Sequence, residues 1–485
     1  MIFKRNFKMK KLLVPILAFS AVLGLDAATI EKVVVRQQWP WSTDIKVEYM
    51  LSGVTEPVDI AVTAYNGEQV LDSSNFGNAI RGDRFAVATG GVKSFILDPV
   101  AAFGTASESL SDFKISLSVS KSKDNMNEVL YKVFDLTSGE CENITRAQLL
   151  NGEKGPVETD FGRIGEGYRT SLDDVVIWTG VTNFPKYKTT HLVMRKIPAK
   201  DFVWRIGSPA DEPGRSINDS EALQYVRLTQ DYYIGVFEIT QAQFMKVYKG
   251  DEVNTPANPS TFQSGDDSPY LPVNNVSYSN LRGNLSYVGP SGEKVNWPTN
   301  SYLHEVVTEK TRPSFLRDLR RVCKGVEFDL PFDPQWEFAC RAGVYDKGLN
   351  DGLGLRSGAV DSDRLDKLGW YSNNSGSAPH PVGMLRPNAF GLYDMHGNVY
   401  EVLANWAGIV SNSSSGSGAS KDDPMVDPVG IEATSGARTA RGGGYDTPAY
   451  YCRNASRFSL VDYYTVSPKQ GFRVVCPVGA KWNEQ

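Results

Sequence analysis

Five cysteines are the residues of this 485-residue chain whose side chains are best suited to chemistry. A thiolate is a nucleophile, and it is also a soft ligand that suits Cu(I) or zinc. No two cysteines have C-x-x-C spacing, which excludes a zinc ribbon and a thioredoxin-like motif. In an oxidising compartment, four of the five could form two disulfides and leave one thiol over. The five are Cys141, Cys323, Cys340, Cys452 and Cys476.

The sequence holds no other familiar catalytic pattern. Its four histidines have no paired spacing, so we predict no histidine-rich iron or zinc site. It has no G-x-S-x-G segment, which is the local signature of a serine nucleophile elbow. The histidines are His191, His304, His380 and His396.

The first 28 residues are typical of a signal peptide. Basic residues precede an apolar run from Leu12 to Leu25, and the small residues Ala27 and Ala28 follow it. The run is short for a membrane span, and no later segment is apolar for long enough. We therefore expect an exported protein, periplasmic or secreted, that is not inserted in a membrane.

The charge of the mature chain argues against nucleic acid as a partner. The first 27 residues hold five basic residues and one acidic residue, so the remainder has 46 basic and 55 acidic residues, a net charge of −9. Such a chain has no electrostatic reason to bind nucleic acid or an anionic membrane. The sequence leaves the oligomeric state open.

Four blocks near the C-terminus carry a family resemblance. They are NAFGLYDMHGNVYEV (388–402), RGGGY (441–445), CRNASR (452–457) and GFRVVC (471–476). Together with earlier blocks they resemble the formylglycine-generating enzyme and sulfatase-modifying-factor family over about residues 190–478. The resemblance implies an α+β fold over residues 191–480, an irregular sulfatase-modifying-factor fold related to C-type lectins.

The resemblance also directs attention to a pair of cysteines. Enzymes of this family bind copper with two cysteines and oxidise a cysteine of a sulfatase. Counted forward from Gly443, Thr447 falls at the first position and Cys452 at the second; counted backward from Arg457, Cys452 matches neither. One thiol cannot replace a bis-thiolate copper site. We therefore expect a non-catalytic binding or accessory module for a protein or glycan partner. The alternative is a copper-dependent formylglycine-generating oxidase, in which Cys452 would be catalytic.

The family's bridged cysteines imply a disulfide pattern. Cys323 and Cys340 have the family's spacing, and their candidate partners Cys452 and Cys476 are each displaced by two residues. A shift of two along a strand keeps a side chain on the same face. The resemblance thus implies bridges Cys340–Cys452 and Cys323–Cys476, with Cys141 left as a thiol.

The resemblance further implies a structural calcium site in GLYDMHGNVYE. Its ligands would be the side chains of Asp394 and Glu401 and the backbone carbonyls of Gly397 and Val399. Carboxylates and main-chain oxygens in a tight turn suit the preference of Ca²⁺ for hard oxygen ligands. The alternative is that Asp394 caps a turn and Glu401 pairs with an arginine such as Arg473.

Hydrophobic periodicity predicts the secondary structure of the chain that precedes these residues. Apolar residues alternate with polar ones in DIKVEYML (44–51), VDIAVTAY (58–65) and FKISLSVS (113–120), which predicts half-buried strands. We therefore expect an all-β immunoglobulin-like sandwich over residues 29–122, acting as a spacer or adhesion module. Residues 123–190 are predicted to be a connecting β segment.

Two helices are predicted within the family domain. Thr240 followed by Gln243 forms a capping box, which predicts a helix that continues through Val247. Asp333 is a suitable N-cap and is followed by Pro334 at the first helical position.

Overall fold

The computed structural model describes most of the chain in two compact units. Among the described residues, the first unit comprises those within 28–130, 144–159 and 176–181, and the second those within 131–143 and from 182 onward. The segment 123–190 therefore contributes to both. The predicted signal peptide lies outside the described residues, apart from Ala28. The described residues are 28–37, 42–73, 76–104, 112–159, 176–215, 221–250, 256–282, 314–324, 326–342, 365–406, 417–428, 437–460 and 464–478.

The first unit contains two antiparallel sheets around one apolar core. In the strand Ile45–Ser52, Ile45, Val47, Tyr49 and Leu51 are buried, as the alternation predicts. The three predicted strands are confirmed. One sheet has the order Thr29–Gln37, Ile45–Ser52, Gly91–Leu97 and Ile80–Gly82, and the other Gln69–Val70, Val58–Asn66 and Phe113–Lys121. Both sheets supply side chains to the same core.

Short helices interrupt the strands of this unit. They are Phe76–Ala79, Pro99–Phe103 and Arg146–Leu150, with a 3-10 turn at Asp124–Asn127. Thr145 and Gln148 form a capping box at the start of the last of these helices. The immunoglobulin-like topology stays a prediction.

Three further sheets complete the described strands. A five-stranded sheet has the order Val475–Pro477, Tyr232–Gly235, His191–Ile197, Val129–Asp135 and Cys141–Thr145. A three-stranded sheet joins Val203–Ile206, Gln224–Arg227 and Met425–Val426. A four-stranded sheet has the order Phe458–Leu460, Arg438–Arg441, Tyr400–Trp406 and Gln470–Gly471. The second unit is thus a mixed fold with many short strands, as expected for an irregular α+β domain.

The helices of the second unit are few and short. Their bounds are Gln241–Val247, Tyr278–Arg282, Phe315–Val322 and Asp333–Arg341, with 3-10 turns at Pro185–Lys188, Ser268–Tyr270 and Ala449–Cys452. A further 3-10 turn, Thr179–Asn183, begins in the first unit and ends in the second. The Thr240–Gln243 capping box is confirmed. Within the described ranges, no helix is long and apolar enough to cross a membrane.

The helix Asp333–Arg341 is buried along its whole length. The sequence suggested Asp333 as its N-cap, but Phe332 holds that position and Asp333 is the first helical residue. Trp336 and Phe338 pack into the main apolar core of the second unit. The acidic residues of the helix are used for buried ion pairs instead of for capping.

Buried ion pairs fix this helix to the C-terminal segments. Asp333 accepts hydrogen bonds from Arg441 at 2.5 Å and Arg457 at 2.8 Å. Glu337 pairs with Arg441 at 2.6 Å and Arg341 at 2.7 Å. Burial by itself would raise the pKa of Asp333, but Arg441 and Arg457 hold that pKa below its ordinary value. The two arginines therefore keep the Asp333 carboxylate ionised in the protein interior.

We expect Glu337→Leu to lower the free energy of unfolding by about 3–5 kcal/mol, because it removes the carboxylate that pairs with Arg341 and one of the two carboxylates that pair with Arg441, in the protein interior. The control is Arg321→Ala, since the Arg321–Asp318 pair is 3.7 Å long and the Arg321 side chain is 52% exposed. That change should cost no more than about 1 kcal/mol. Chemical denaturation of the full chain measures both values, and equal effects would contradict a structural role for the network.

Candidate functional site

The turn that follows the strand Arg438–Arg441 brings Thr447 and Cys452 together. Gly442 and Gly443 have φ angles of 91° and 78°, which favour glycine. A Cβ atom on Gly443 would lie 2.6 Å from the Cys452 sulfur, so this close approach also requires glycine. The Thr447 hydroxyl accepts a hydrogen bond from the Gly444 amide and donates one to the Gly444 carbonyl, both at 2.9 Å, and it lies near enough to the Cys452 thiol to affect its pKa. The two positions obtained by counting forward from Gly443 are therefore neighbours in space.

The Cys452 thiol is protonated at neutral pH. It is fully buried in a cluster with Leu365, Leu368 and Tyr371. Burial raises its pKa to about 12, although the nearby Thr447 hydroxyl opposes that rise. A thiol of this kind is a weak nucleophile, because the thiolate is the reactive form.

The predicted bridge between Cys340 and Cys452 is not formed. The Cys340 sulfur lies 3.5 Å from Oδ1 of Asn454 and 3.8 Å from Nε2 of His396. The other ring nitrogen of His396 lies 2.7 Å from the carbonyl oxygen of Cys452. The imidazole thus stands between the Cys340 side chain and the Cys452 backbone, and the Cys452 sulfur is next to Gly443 and Thr447 instead.

The other predicted bridge, Cys323–Cys476, is also absent, since all five cysteines are present as thiols. The Cys476 sulfur lies 3.8 Å from the Met194 sulfur. Asn454 stands opposite Cys340 and was not predicted from the sequence. It lies two residues beyond Cys452 in the chain. The two-residue displacement of Cys452 from the family position was the signal that could have identified it.

The turn with the predicted calcium ligands contains two buried carboxylates, of which one is fully hydrogen-bonded and the other is not. Glu401 is saturated: its oxygens accept hydrogen bonds from Arg473 at 2.7 and 2.8 Å and from Nε1 of Trp336 at 2.7 Å. The alternative for Glu401, a pair with Arg473, is therefore formed. Asp394 has a φ of 57°, and its Oδ2 accepts a hydrogen bond from the Gly383 amide at 2.7 Å. Among the described residues, its buried Oδ1 has no hydrogen-bond partner.

A third carboxylate, Glu238, lies at this turn and was not predicted from the sequence. Its oxygens accept hydrogen bonds from the Val399 amide at 3.1 Å and the Asn398 side chain at 2.7 Å. Gly397, with a φ of 87°, continues the same turn. Nothing in the local sequence signals Glu238, because it lies 160 residues before Asn398.

Burial and neighbouring negative charge raise the pKa values of two carboxyl groups at this turn. Burial, and then the charges of Asp394 and Glu401, raise the pKa of Glu238 well above its ordinary value. Burial also raises the pKa of Asp394 to about 6, although the Gly383 amide, Arg473 and Lys188 oppose that rise. Three buried carboxylates thus share a region whose cations do not balance them.

These features fit a calcium ion in part. The unpartnered Oδ1 of Asp394 and the uncompensated charge suit a bound cation, whereas Glu401 has no oxygen left to offer. In the described part of the chain, no three histidine, cysteine or carboxylate side chains form a metal site by themselves. A cation here would therefore depend on Asp394 and on backbone oxygens.

A run of aromatic rings leads from Thr447 to the surface. The Tyr400 ring lies beside Gly444, to which Thr447 hydrogen-bonds, and it stacks on Phe458 with centroids 4.6 Å apart. Tyr451 contacts Phe458 at 6.4 Å and Tyr450 at 4.4 Å. Tyr450 and Phe458 are each 37% exposed. We refer to these four residues as the aromatic run.

Sequence comparisons identify relatives of the C-terminal part. A model described as "Sulfatase-modifying factor enzyme 1-like domain" matches residues 194–478. The chain is 28% identical over 199 residues to the chaperone protein LppX of Paenibacillus barcinonensis, covering 36% of this chain and 62% of that protein. It is 31% identical over 127 residues to the formylglycine-generating enzyme of Streptomyces coelicolor, covering 25% of this chain and 38% of that protein. The matched segments span less than two thirds of each relative.

Solved structures of similar proteins include variable protein 1 of Treponema denticola, with a TM-score of 0.41 and 24% identity over 59% of this chain and 96% of that chain. PvdO from Pseudomonas aeruginosa has a TM-score of 0.40 and 21% identity over 59% of this chain and 94% of that chain. The domain model covers more than half of the chain and contains the Gly443 turn, the aromatic run and the buried carboxylates. This protein therefore belongs to the sulfatase-modifying factor enzyme 1-like family.

Proposed function

We propose that the protein is an exported, non-catalytic binding module, whose partner is a protein or a glycan. The observation that carries the proposal is the pair of Thr447 and Cys452, in which one protonated thiol faces a hydroxyl group. Two adjacent thiolates are the ligand set that Cu(I) prefers, and this pair offers neither a second sulfur nor an ionised first one. The first unit would then act as a spacer or adhesion module of immunoglobulin-like architecture.

The aromatic run is the proposed binding face. Tyrosine and phenylalanine supply large, rigid contact area and are enriched at protein interfaces. The exposed rings of Tyr450 and Phe458 are braced from behind by Tyr451 and Tyr400. The name of the relative LppX, a chaperone protein, agrees with a protein partner.

The alternative function is a copper-dependent oxidase that matures sulfatases. The match to a formylglycine-generating enzyme favours it, and the missing second cysteine opposes it. The two functions differ in one observable, which is whether a cysteine in a sulfatase peptide becomes formylglycine.

We expect wild-type protein incubated with Cu(I), oxygen and a cysteine-containing sulfatase peptide to leave the peptide mass unchanged. Thr447→Cys should bind Cu(I) in competition with a chromogenic Cu(I) chelator, because it places a second thiol beside Cys452. Thr447→Ser, which keeps the hydroxyl, and the double variant T447C/C452S are the matched controls and should not bind. Turnover of the peptide by wild-type protein would overturn the non-catalytic proposal.

We expect ligands selected by the wild-type protein to lose affinity on the order of tenfold or more in Tyr450→Ala and Phe458→Ala, as for aromatic hot spots. The selection uses a random-peptide display library and an array of polysaccharides, and titration calorimetry measures the affinities. Met384→Ala is the control, because Met384 is 57% exposed and lies outside the aromatic run. Equal affinities in all variants would remove the aromatic run as the binding face.

We also propose that a structural calcium ion completes the coordination of Asp394. If it does, a chelator should lower the melting temperature of wild-type protein, since calcium at 100 times its Kd stabilises by about 2.7 kcal/mol. Asp394→Asn should abolish this sensitivity, whereas Asp201→Asn, at another residue with positive φ, should keep it. Melting is followed by scanning calorimetry. A higher melting temperature for Asp394→Asn, with no chelator effect on the wild type, would instead indicate a buried charge without a cation.

A further inference from the structure

The turn of the hairpin formed by Val129–Asp135 and Cys141–Thr145 lies against the end of the helix Phe315–Val322. Gly139 donates its amide to the Asp135 carbonyl at 2.8 Å, and Asp135 donates to Glu140 at 2.9 Å. A Cβ atom on Gly139 would overlap the Val322 carbonyl oxygen and lie 3.4 Å from the Cα atom of Cys323. The hairpin backbone therefore touches the chain at Cys323.

Cys141 follows Gly139 by two residues and begins the second strand of the hairpin. Cys141 and Asn143 share a face of that strand, and their side chains approach to 4.0 Å. Nζ of Lys132 donates to Oδ1 of Asn143 at 2.8 Å, which places Cys141 beside this ammonium group. Cys141 is partly exposed, whereas Cys323 is buried.

The electrostatics of the thiols agree with this placement. Burial, followed by the neighbouring Cys141 and Asp135, raises the pKa of Cys323 to about 12. Burial also raises the pKa of Cys476, with Cys141 and Cys323 adding to the rise and Lys132 opposing it. Cys323 and Cys476 thus both respond to Cys141, and Cys476 in addition contacts the Met194 sulfur.

We propose that Cys141 and Cys323 are joined by a disulfide when the chain matures in an oxidising compartment. The bond would tie the hairpin to the helix end, where Gly139 already brings the two segments into contact. It differs from the pairing Cys323–Cys476 that the family resemblance implies, and Cys141 lies before the matched domain. In this arrangement Cys476 remains a thiol against Met194.

The reaction is a thiol–disulfide exchange. Two S–H bonds of the protein and the S–S bond of a small-molecule or protein disulfide break, one S–S bond forms between the two protein sulfurs, and the two electrons and two protons convert the oxidant to its two thiols. The partly exposed Cys141 sulfur is the one an oxidant reaches first. The mixed disulfide is then resolved by the Cys323 sulfur.

The test is a tryptic map of the full chain under non-reducing conditions, after equilibration in a buffer of reduced and oxidised glutathione. We expect peptide 133–146 linked to peptide 322–324, and Cys476 alkylated after denaturation. A link between Cys323 and Cys476, a link between Cys141 and Cys476, or alkylation of all three thiols would each overturn the proposal. Because the buffer supplies the oxidant, the result does not depend on export or on the proposed binding function.

Two variants separate the bond from general effects on folding. Cys141→Ser should leave Cys323 alkylatable after denaturation, whereas Cys476→Ser should keep the linked peptide pair. A reductant should lower the melting temperature of wild-type protein and of Cys476→Ser, since the disulfide constrains the unfolded chain. The melting temperature of Cys141→Ser should not respond to reductant, and a response there would contradict the assignment.

Discussion

The second unit depends on the buried ion pairs of the helix Asp333–Arg341. Ionised groups in the interior are tolerated when each charge has a partner and its hydrogen bonds are satisfied. Asp333 and Glu337 meet this condition by binding Arg441 and Arg457, which come from segments more than 100 residues away. Arg441 also donates to the carbonyl of Asn454 at 2.6 Å. The network thus fixes both ends of the segment that contains the Gly443 turn and Cys452.

A second group of buried charges, around Glu401 and Asp394, is only partly paired. Arg473 donates hydrogen bonds to Glu401 and to the carbonyls of Gly235 and Tyr393, so the hydrogen bonds of the Glu401–Arg473 pair are satisfied. Within the part of the chain that the structure describes, one buried oxygen of Asp394 has no hydrogen-bond partner. A folded chain carries such an oxygen at a cost unless something binds it, and this is the physical reason to expect a cation there. The same domain therefore contains one balanced and one unbalanced group of buried charges.

The Gly443 turn brings one thiol and one hydroxyl group together. The backbone holds Thr447 against Cys452, and the glycine allows the close approach of the sulfur. Burial keeps this thiol protonated, and a hydroxyl group stands where a second sulfur would be needed. What remains exposed next to it is the aromatic run, whose rings suit recognition of a partner.

The sequence by itself determined the features that depend on neighbours along the chain. Alternation predicted the strand Ile45–Ser52, the Thr240–Gln243 capping box predicted a helix start, and counting from Gly443 paired Thr447 with Cys452. Tertiary structure decided which distant side chains meet. It placed Glu238 at the turn of Asp394, and Asn454, not Cys452, opposite Cys340. Local patterns fix backbone conformation within a few residues, but the direction of a buried side chain depends on the packing of segments far apart in sequence.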